Sequence, residues 1–173
     1  MAWRRAFLNA TFSAKNSIWM RPALRYWRTL PEQEKSMPLD DVLLNKAATI
    51  ERCVARAREE YQSDTAGFAL NFTRQDAAIL NIQRACEAAL DMAQHVVRKQ
   101  GLGLPQSARD AFELLAKHAW IDRSLAEALK KMVGFRNIAV HDYRSLQLPV
   151  TVSIITGHLD EFLRFSKAML LHE

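Results

Sequence analysis

Apolar side chains recur at three- and four-residue steps along most of the chain from Asp40 onward. This spacing places them on one face of an α-helix, so it predicts a first helix of about 20 residues. Its apolar positions are Val42, Leu43, Ala47, Ile50, Val54 and Ala57. A loop is predicted from Gln62 to Phe72.

A second amphipathic pattern continues to about Lys99. Its apolar positions are Ala77, Leu80, Ile82, Ala85, Ala88, Leu90, Ala93 and Val97. The segment Gly101–Pro105 is predicted to end this helix, because glycine tolerates the left-handed conformation of a helix C cap and proline cannot continue a helix.

Two further helices are predicted after this break. A short one follows Ser107 and includes Phe112. The next is predicted to begin at Ser124, whose side chain would form a capping box with Glu127, and to continue to about Tyr143.

A last helix is predicted after Pro149. Its apolar positions are Val152, Ile155, Leu159, Phe162, Leu163 and Phe165. We assign the β-branched run at 150–155 to the start of this helix, because no sustained strand pattern is present anywhere in the sequence. The elements predict an all-α protein, an antiparallel four-helix bundle with an additional short helix.

The basic charge of the chain is concentrated at its N terminus. Residues 1–36 carry seven basic and two acidic residues, a net +5 that equals the net charge of all 173 residues. The rest of the chain carries 17 basic and 17 acidic residues, so any binding of RNA by the helical domain must depend on a local patch. We therefore divide the chain into a basic N-terminal extension, 1–36, and a helical-bundle domain, 37–173.

Three interpretations of the extension are open. It could be a basic interaction arm, an organellar transit peptide, or an over-extended reading frame whose functional start is Met37. We favour the third, because a well-formed helix begins immediately after Met37. If residues 1–36 are translated, we expect them to be disordered.

The two cysteines, Cys53 and Cys86, lie within helical patterns and lack the paired spacing of a zinc site or redox motif. We expect both to be reduced core residues, as in a cytoplasmic protein. No run approaches the roughly 18 consecutive apolar residues that a membrane span requires. The sequence therefore predicts a soluble, cytoplasmic protein without membrane association.

Arg136 occupies an unusual position on the fourth predicted helix. On an ideal helix it shares a face with Leu129, Met132 and Val140. A guanidinium keeps its charge, so its place among apolar side chains is unfavourable unless an anion meets it. That anion could be an internal carboxylate, a group of a partner subunit, or a bound phosphate.

The second helix offers internal partners. Glu87, Asp91 and His95 follow one another at four-residue steps and form a polar stripe. A purely structural pair with Arg136 is one interpretation of this stripe. Its donors could also bind a metal, but one helix rarely surrounds an ion and no second set of ligands is visible, so we predict no metal and no cofactor. We expect the stripe to pair with Arg136 or to order the groove beside it.

The segment from Arg136 to Tyr143 reads Arg-Asn-Ile-Ala-Val-His-Asp-Tyr. Within it, Asn137 and His141 form an i,i+4 pair on the edge of the apolar face. The spacing of arginine, histidine and tyrosine matches in full the motif of the HepT branch of the HEPN superfamily, which the chain resembles.

This resemblance extends beyond the motif. The second helix from Asn81 to His95 is similar to the second helix of that family, and Leu125 to Phe135 is similar to the lead-in to its active-site helix. The resemblance covers about residues 38–170 and leaves out the extension.

The resemblance implies a HEPN-like bundle that acts as a metal-independent ribonuclease toxin and cleaves or trims RNA, with tRNA among its possible targets. It also implies a homodimer in which two Arg/His helices face each other. Arg136 would stabilise charge on the scissile phosphate. His141 would move a proton, and Asn137 would orient His141 or the phosphate.

The resemblance further implies that a cognate MntA-like nucleotidyltransferase antitoxin AMPylates Tyr143, as in type VII toxin–antitoxin systems. The modification would add bulk and negative charge beside Arg136 and would compete with the RNA phosphate. The residues alone also allow Tyr143 to be an aromatic side chain that packs on the last helix.

Two other functions remain open at the level of the sequence. One is a non-catalytic HEPN module that binds nucleotide or RNA, or that serves as an accessory subunit of a nucleotidyltransferase. The other is a purely structural helical dimer, which explains Arg136 poorly. In a ribonuclease, Arg136 and His141 are needed for cleavage of RNA. In the non-catalytic module they have no such role.

Overall fold

The structure is a computed structural model, and it describes residues 40–172. This part of the chain forms helices and contains no strand, so the predicted all-α class is confirmed. The helices are α1 (Asp41–Gln62), α2 (Phe72–Lys99), α3 (Ala108–Lys117), α4 (Arg123–His141), α5 (Leu148–Gly157) and α6 (Leu159–Leu171). Short 3-10 turns lie at Phe68–Leu70 and Tyr143–Ser145. The extension 1–36, on which three interpretations were open, lies outside the described residues.

The core is built around α2, which contacts α1, α3, α4 and α6. Many of its buried side chains are small, which allows neighbouring helices to approach closely. They include Ala78, Ala85, Ala88, Ala89 and Ala93. Larger side chains from the other helices fill the remaining space, and the rings of Phe112 on α3 and Phe165 on α6 meet edge to face with centroids 5.4 Å apart. Across residues 40–172, each helix is too short or too polar to cross a membrane.

Both cysteines lie in this core. Cys53 on α1 and Cys86 on α2 are buried and carry free thiols. Burial raises the pKa of the Cys53 thiol, and it raises that of the Cys86 thiol to about 12. Neither thiol is therefore a reactive thiolate near neutral pH.

The break after α2 follows the predicted chemistry. Gly101 has a φ of +62°, in the left-handed region that glycine adopts without strain. The backbone N–H of Leu102 reaches back to the carbonyl of Val97 at 3.0 Å and satisfies one of the last carbonyls of the helix.

Asp40 caps α1 and also ties it to α2. One carboxylate oxygen accepts a hydrogen bond from the backbone N–H of Val42 at 2.8 Å. The other lies 2.6 Å from Nε2 of His95 and 3.1 Å from Nζ of Lys99. Burial opposes ionisation of this carboxyl, but the hydrogen bonds outweigh it and hold its pKa well below the usual value. A single carboxylate thus joins the start of α1 to the last turns of α2.

The predicted capping box at the start of α4 is wrong. Asp122 is the N cap, and its carboxylate accepts the backbone N–H of Leu125 at 2.8 Å. The hydroxyl of Ser124 donates to the same carboxylate, while Glu127 pairs with Lys130 at 2.8 Å. The Asp122 carboxylate is favoured as the N cap because its negative charge also interacts favourably with the positive end of the helix dipole.

The single last helix that the sequence predicts is divided into α5 and α6. The run at 150–155 is helical as expected, but His158 leaves the helix with φ −126° and ψ −7°. Gly157 precedes it, and glycine is a poor helix former. Asp160 and Glu161 lie in the first turn of α6, where negative charge stabilises a new N terminus.

We predict that Asp40→Ala lowers the free energy of unfolding by about 1–2 kcal/mol, because it removes an N cap. It also removes the carboxylate shared by His95 and Lys99. Asp40→Asn keeps a capping oxygen and is expected to lose less. Urea denaturation at neutral pH measures both effects. Asp41→Asn is the matched control, since it removes the same charge from the neighbouring exposed residue. An equal loss of unfolding free energy in Asp41→Asn would contradict the role of Asp40.

The same carboxylate predicts a pH dependence. The pKa of Asp40 is lower in the folded chain than its usual 3.8, so its contribution is present above that value and is lost as the pH falls. The stability difference between the wild type and Asp40→Asn is expected to shrink below about pH 4. A difference that does not change between about pH 5 and pH 3 would contradict the assignment.

Candidate active site

Arg136 lies on α4 where this helix faces α2. Its side chain is 30% exposed, and one terminal nitrogen donates to Glu87 of α2 at 3.3 Å. The other terminal nitrogen donates to the amide oxygen of Asn137, also at 3.3 Å. Strong charge-assisted bonds measure about 2.7–2.9 Å and are often bidentate. The internal partners therefore leave much of the hydrogen-bonding capacity of Arg136 unused.

The remaining nitrogen of Arg136 reinforces this point. Its Nε is buried, and it has no acceptor among the described residues. Leaving a buried donor without a partner costs about 1–3 kcal/mol. By contrast, Lys130 at a structural position has Glu127 and Glu113 at 2.8 and 2.9 Å. Arg136 has no carboxylate partner at so short a distance.

The polar stripe of Glu87, Asp91 and His95 does not act as a unit. Glu87 meets Arg136, but Asp91 pairs with Lys46 of α1 at 2.6 Å and His95 bonds to the N cap of α1. Pairing with Arg136 is thus wrong for Asp91 and His95, because each four-residue step advances about 6 Å along the helix and carries them past it. In the part of the chain that the structure describes, no three His, Cys, Asp or Glu side chains are grouped as metal ligands would be.

Asn137 and His141 lie at the C-terminal end of α4, and both are exposed. Asn137 contacts Arg136, and within residues 40–172 no hydrogen bond joins it to His141. On an ideal helix, Arg136 and His141 are about 7.5 Å apart along the axis and about 140° apart around it. One helix therefore directs the guanidinium and the imidazole to different sides.

The apolar face of α4 becomes exposed towards its end. Leu129 and Met132 are buried as the helical wheel predicts, but Val140 is 41% exposed. The wheel places Val140 on the same face as these two residues, but it gives the direction of a side chain and not whether another helix covers it. Ile138 on α4 and Leu80 on α2 are also exposed. We call the exposed apolar residues Leu80 of α2 and Ile138 and Val140 of α4 the apolar rim.

Tyr143 is not part of α4, which ends at His141. Asp142 leaves the helix, and Tyr143 begins the following 3-10 turn with its side chain about half exposed. The hydroxyl of Tyr143 donates to the carboxylate of Asp76 on α2. This hydrogen bond, together with partial burial, raises the pKa of Tyr143 to about 12.

The position of Tyr143 changes its predicted relation to Arg136. Tyr143 is anchored at Asp76 and Arg136 at Glu87, two positions of α2 that are about 16 Å apart along the helix axis. The hydroxyl is therefore not directly beside the guanidinium. A group attached to Tyr143 must extend along α2 to approach Arg136.

Asp76 is a residue that the sequence analysis missed. It precedes Glu87 by eleven residues, which is close to three helical turns, so the two lie on the same face of α2. The sequence shows this spacing, but the residues around Asp76 do not indicate that the end of α4 packs against that face.

Comparisons with known proteins identify the family of the chain. A family model described as ribonuclease HepT-like matches residues 50–169. The mRNA nuclease HepT of Shewanella oneidensis is 50% identical over 127 residues, which cover 73% of this chain and 95% of that protein.

Solved structures give the same result. A crystal structure of a toxin–antitoxin with AMP-PNP is 48% identical, with a TM-score of 0.72 over 75% of this chain and 97% of that chain. The structure of a tri-AMPylated Shewanella oneidensis HEPN toxin in complex with MNT antitoxin has the same identity, coverage and TM-score. These matches confirm the predicted HEPN-like fold. The chain therefore belongs to the HepT-like ribonuclease family.

Proposed function

We propose that this chain is the ribonuclease toxin of a toxin–antitoxin pair, acts in the cytoplasm without a metal, and is silenced by AMPylation of Tyr143. The observation that carries the proposal is the incompletely bonded Arg136, which lies five residues before the exposed His141 on the same helix. The relatives support it, since one is an mRNA nuclease and others are toxins solved with their antitoxins. The free buried cysteines fit a reducing compartment.

Arg136 would bind the scissile phosphate. Its guanidinium presents N–H donors in a planar fork that matches phosphate oxygens. Because Glu87 holds it through one long hydrogen bond and is itself 41% exposed, a phosphate can compete for the same donors. Negative charge that develops on the phosphate during cleavage would then be stabilised by a positive group already in position.

His141 would transfer the protons. In cleavage by internal attack, the 2′-oxygen of the ribose forms a bond to phosphorus while the bond to the 5′-oxygen breaks. One imidazole takes the proton from the 2′-hydroxyl, and a protonated imidazole gives a proton to the leaving 5′-oxygen. The electron pair of the broken bond leaves with that oxygen. The two roles need two imidazoles, and a homodimer supplies both as His141. Asn137, bonded to Arg136, would orient the guanidinium or the phosphate.

The apolar rim supports such a dimer. Leu80, Ile138 and Val140 are each more than 40% exposed, and a second copy of the chain would remove this apolar surface from water. A two-fold axis through the rim would bring the ends of two α4 helices together. Arg136 of one copy and His141 of the other could then act on one phosphate, although a single helix directs them apart.

The carboxylates and the histidine of the α2 stripe already have partners within the chain. Asp91 and His95 are bonded to α1, and Glu87 is bonded to Arg136. The side chains that could have formed a metal site therefore point to separate partners. Charge stabilisation by Arg136 and proton transfer by His141 suffice for the reaction.

Silencing would follow from charge and bulk on Tyr143. Each AMP adds a phosphodiester with one negative charge, and the nucleotide extends well beyond the tyrosine hydroxyl. From its anchor at Asp76, such a group can extend along α2 towards Arg136 and occupy the path of the RNA.

We predict that the purified chain cleaves RNA in the presence of EDTA, and that Arg136→Ala or His141→Ala lowers the rate by about 100-fold or more. Arg58→Ala is the matched control for Arg136, since Arg58 has a similar exposure and one carboxylate partner, Asp160. His118→Ala, which changes another exposed histidine, is the control for His141. Gel-based cleavage of a labelled RNA measures all four variants.

The outcomes separate the alternatives. Loss of cleavage in EDTA would contradict the metal-independent mechanism. Full activity in both Arg136→Ala and His141→Ala would contradict the site. An unmodified wild type that binds RNA without cleaving it would favour the non-catalytic module.

The dimer is tested by Val140→Glu. A charge in the apolar rim should shift the chain from dimer to monomer and lower RNA cleavage in parallel, because the side chain is exposed in the single chain and the fold can tolerate it. Val42→Glu is the matched control, since Val42 is 40% exposed and lies on α1. Light scattering after size exclusion measures the mass. An active monomeric Val140→Glu variant would contradict a site shared between two copies.

The modification is tested by incubation of the chain with its nucleotidyltransferase and ATP. We predict that AMP is found on Tyr143 by peptide mass spectrometry and that cleavage of RNA falls as the modified fraction rises. Tyr143→Phe should gain no AMP, whereas Tyr61→Phe, at a partly buried tyrosine that packs on Phe68, should be modified like the wild type. Gain of AMP by Tyr143→Phe would assign the modification to another residue.

A further inference from the structure

We propose that Asp76 is the proton acceptor for transfer of the nucleotide to Tyr143, so that this chain carries part of the catalytic machinery of its own inactivation. The inference rests on the proposed function, because it requires Tyr143 to be the acceptor of AMP. It is carried by the hydrogen bond from the Tyr143 hydroxyl to the Asp76 carboxylate.

The hydrogen bond between Tyr143 and Asp76 joins the 3-10 turn after α4 to the first part of α2. Asp76 lies near the N-terminal end of α2, three turns from Glu87, and is exposed. Tyr143 lies outside α4 in a 3-10 turn, which is held by the backbone N–H of Ser145 bonded to the carbonyl of Asp142 at 2.9 Å. Among the described residues, Tyr143 is the partner with which Asp76 forms a side-chain hydrogen bond. The helix α2 positions Asp76 and the 3-10 turn positions Tyr143. Arg136 and Glu87 take no part in this pair.

The chemistry of the transfer requires such an acceptor. The phenolic oxygen of Tyr143 attacks the α-phosphorus of a nucleoside triphosphate held by the partner. A bond forms between that oxygen and phosphorus, and the bond to the bridging oxygen breaks, so that pyrophosphate leaves with the electron pair. The phenolic proton passes to the Asp76 carboxylate and then to solvent. No oxidant or reductant is involved.

The properties of the tyrosine fit this requirement. Its pKa is raised to about 12, first by the hydrogen bond to Asp76 and then by burial, so the hydroxyl is protonated at neutral pH. A neutral phenol is a weak nucleophile unless its proton is removed as it attacks. The hydrogen bond holds the acceptor within reach of that proton, and it aligns the phenolic oxygen while its ring stays about half exposed to an approaching partner.

The contact also explains why Asp76 would not be needed after transfer. The modified oxygen has no proton to donate, so the hydrogen bond to Asp76 is lost, and the new phosphodiester carries a negative charge next to the carboxylate. Like charges at close range repel. The attached nucleotide is therefore directed away from Asp76.

Asp76→Asn separates a chemical role from a holding role. Asparagine has the same shape and its amide oxygen still accepts a hydrogen bond from Tyr143, but it cannot take up the proton. We expect this variant to lower kcat for the first nucleotide transfer by about 100-fold, with KM for the toxin chain changed by less than about threefold. Asp76→Glu should recover part of the rate, since it restores a carboxylate. Asp160→Asn, at another exposed aspartate with a partner on α1, is the control.

The assay uses the full chain, its nucleotidyltransferase and radiolabelled ATP, with thermal unfolding of each variant as a check of the fold. Wild-type kcat in Asp76→Asn, or a raised KM with unchanged kcat, would overturn the role of Asp76 as proton acceptor. A wild-type chain that gains AMP at another residue or not at all would instead overturn the proposed function and this inference with it.

Discussion

The contact between the end of α4 and one face of α2 is the interaction on which the site depends. Both polar anchors of the motif lie on this face, Arg136 at Glu87 and Tyr143 at Asp76. The face can hold them because α2 is long and its opposite sides are packed with small residues against α1 and the other helices. Both anchors lie on the same helix, so the spacing between them follows from the rise of about 1.5 Å per residue.

The electrostatics of this face are left incomplete. Arg136 has two long hydrogen bonds and one buried N–H without an acceptor among the described residues, and the apolar rim is exposed. Elsewhere in the same bundle, Asp40, Asp122 and Lys130 show what complete polar bonding looks like. Thr151 and Glu161 also have a buried oxygen without a partner among the described residues, and at the proposed site a ligand or a second copy would complete the bonding of Arg136.

Catalysis and its control would therefore share one helix face without sharing residues. Arg136, Asn137 and His141 would serve the RNA at the proposed site, while Tyr143 and Asp76 would serve the proposed modification about three turns away along α2. This separation lets the acceptor tyrosine be reached without displacement of the arginine. In the proposed mechanism, inactivation would depend on the reach and charge of the attached nucleotide and not on removal of a catalytic group.

Much of the fold could be predicted from the sequence by itself. The helix at 41–62, the end of α2 at Gly101 and the burial of both cysteines follow from local spacing and backbone chemistry, which a sequence states directly. The motif from Arg136 to Tyr143 likewise identified the family. The tertiary structure alone decided which carboxylates meet Arg136 and Tyr143, and that Val140 stays exposed. Helical periodicity determines the direction of a side chain from its own axis, whereas its partner depends on which helix lies opposite and at what level, and that is set by packing of the whole core.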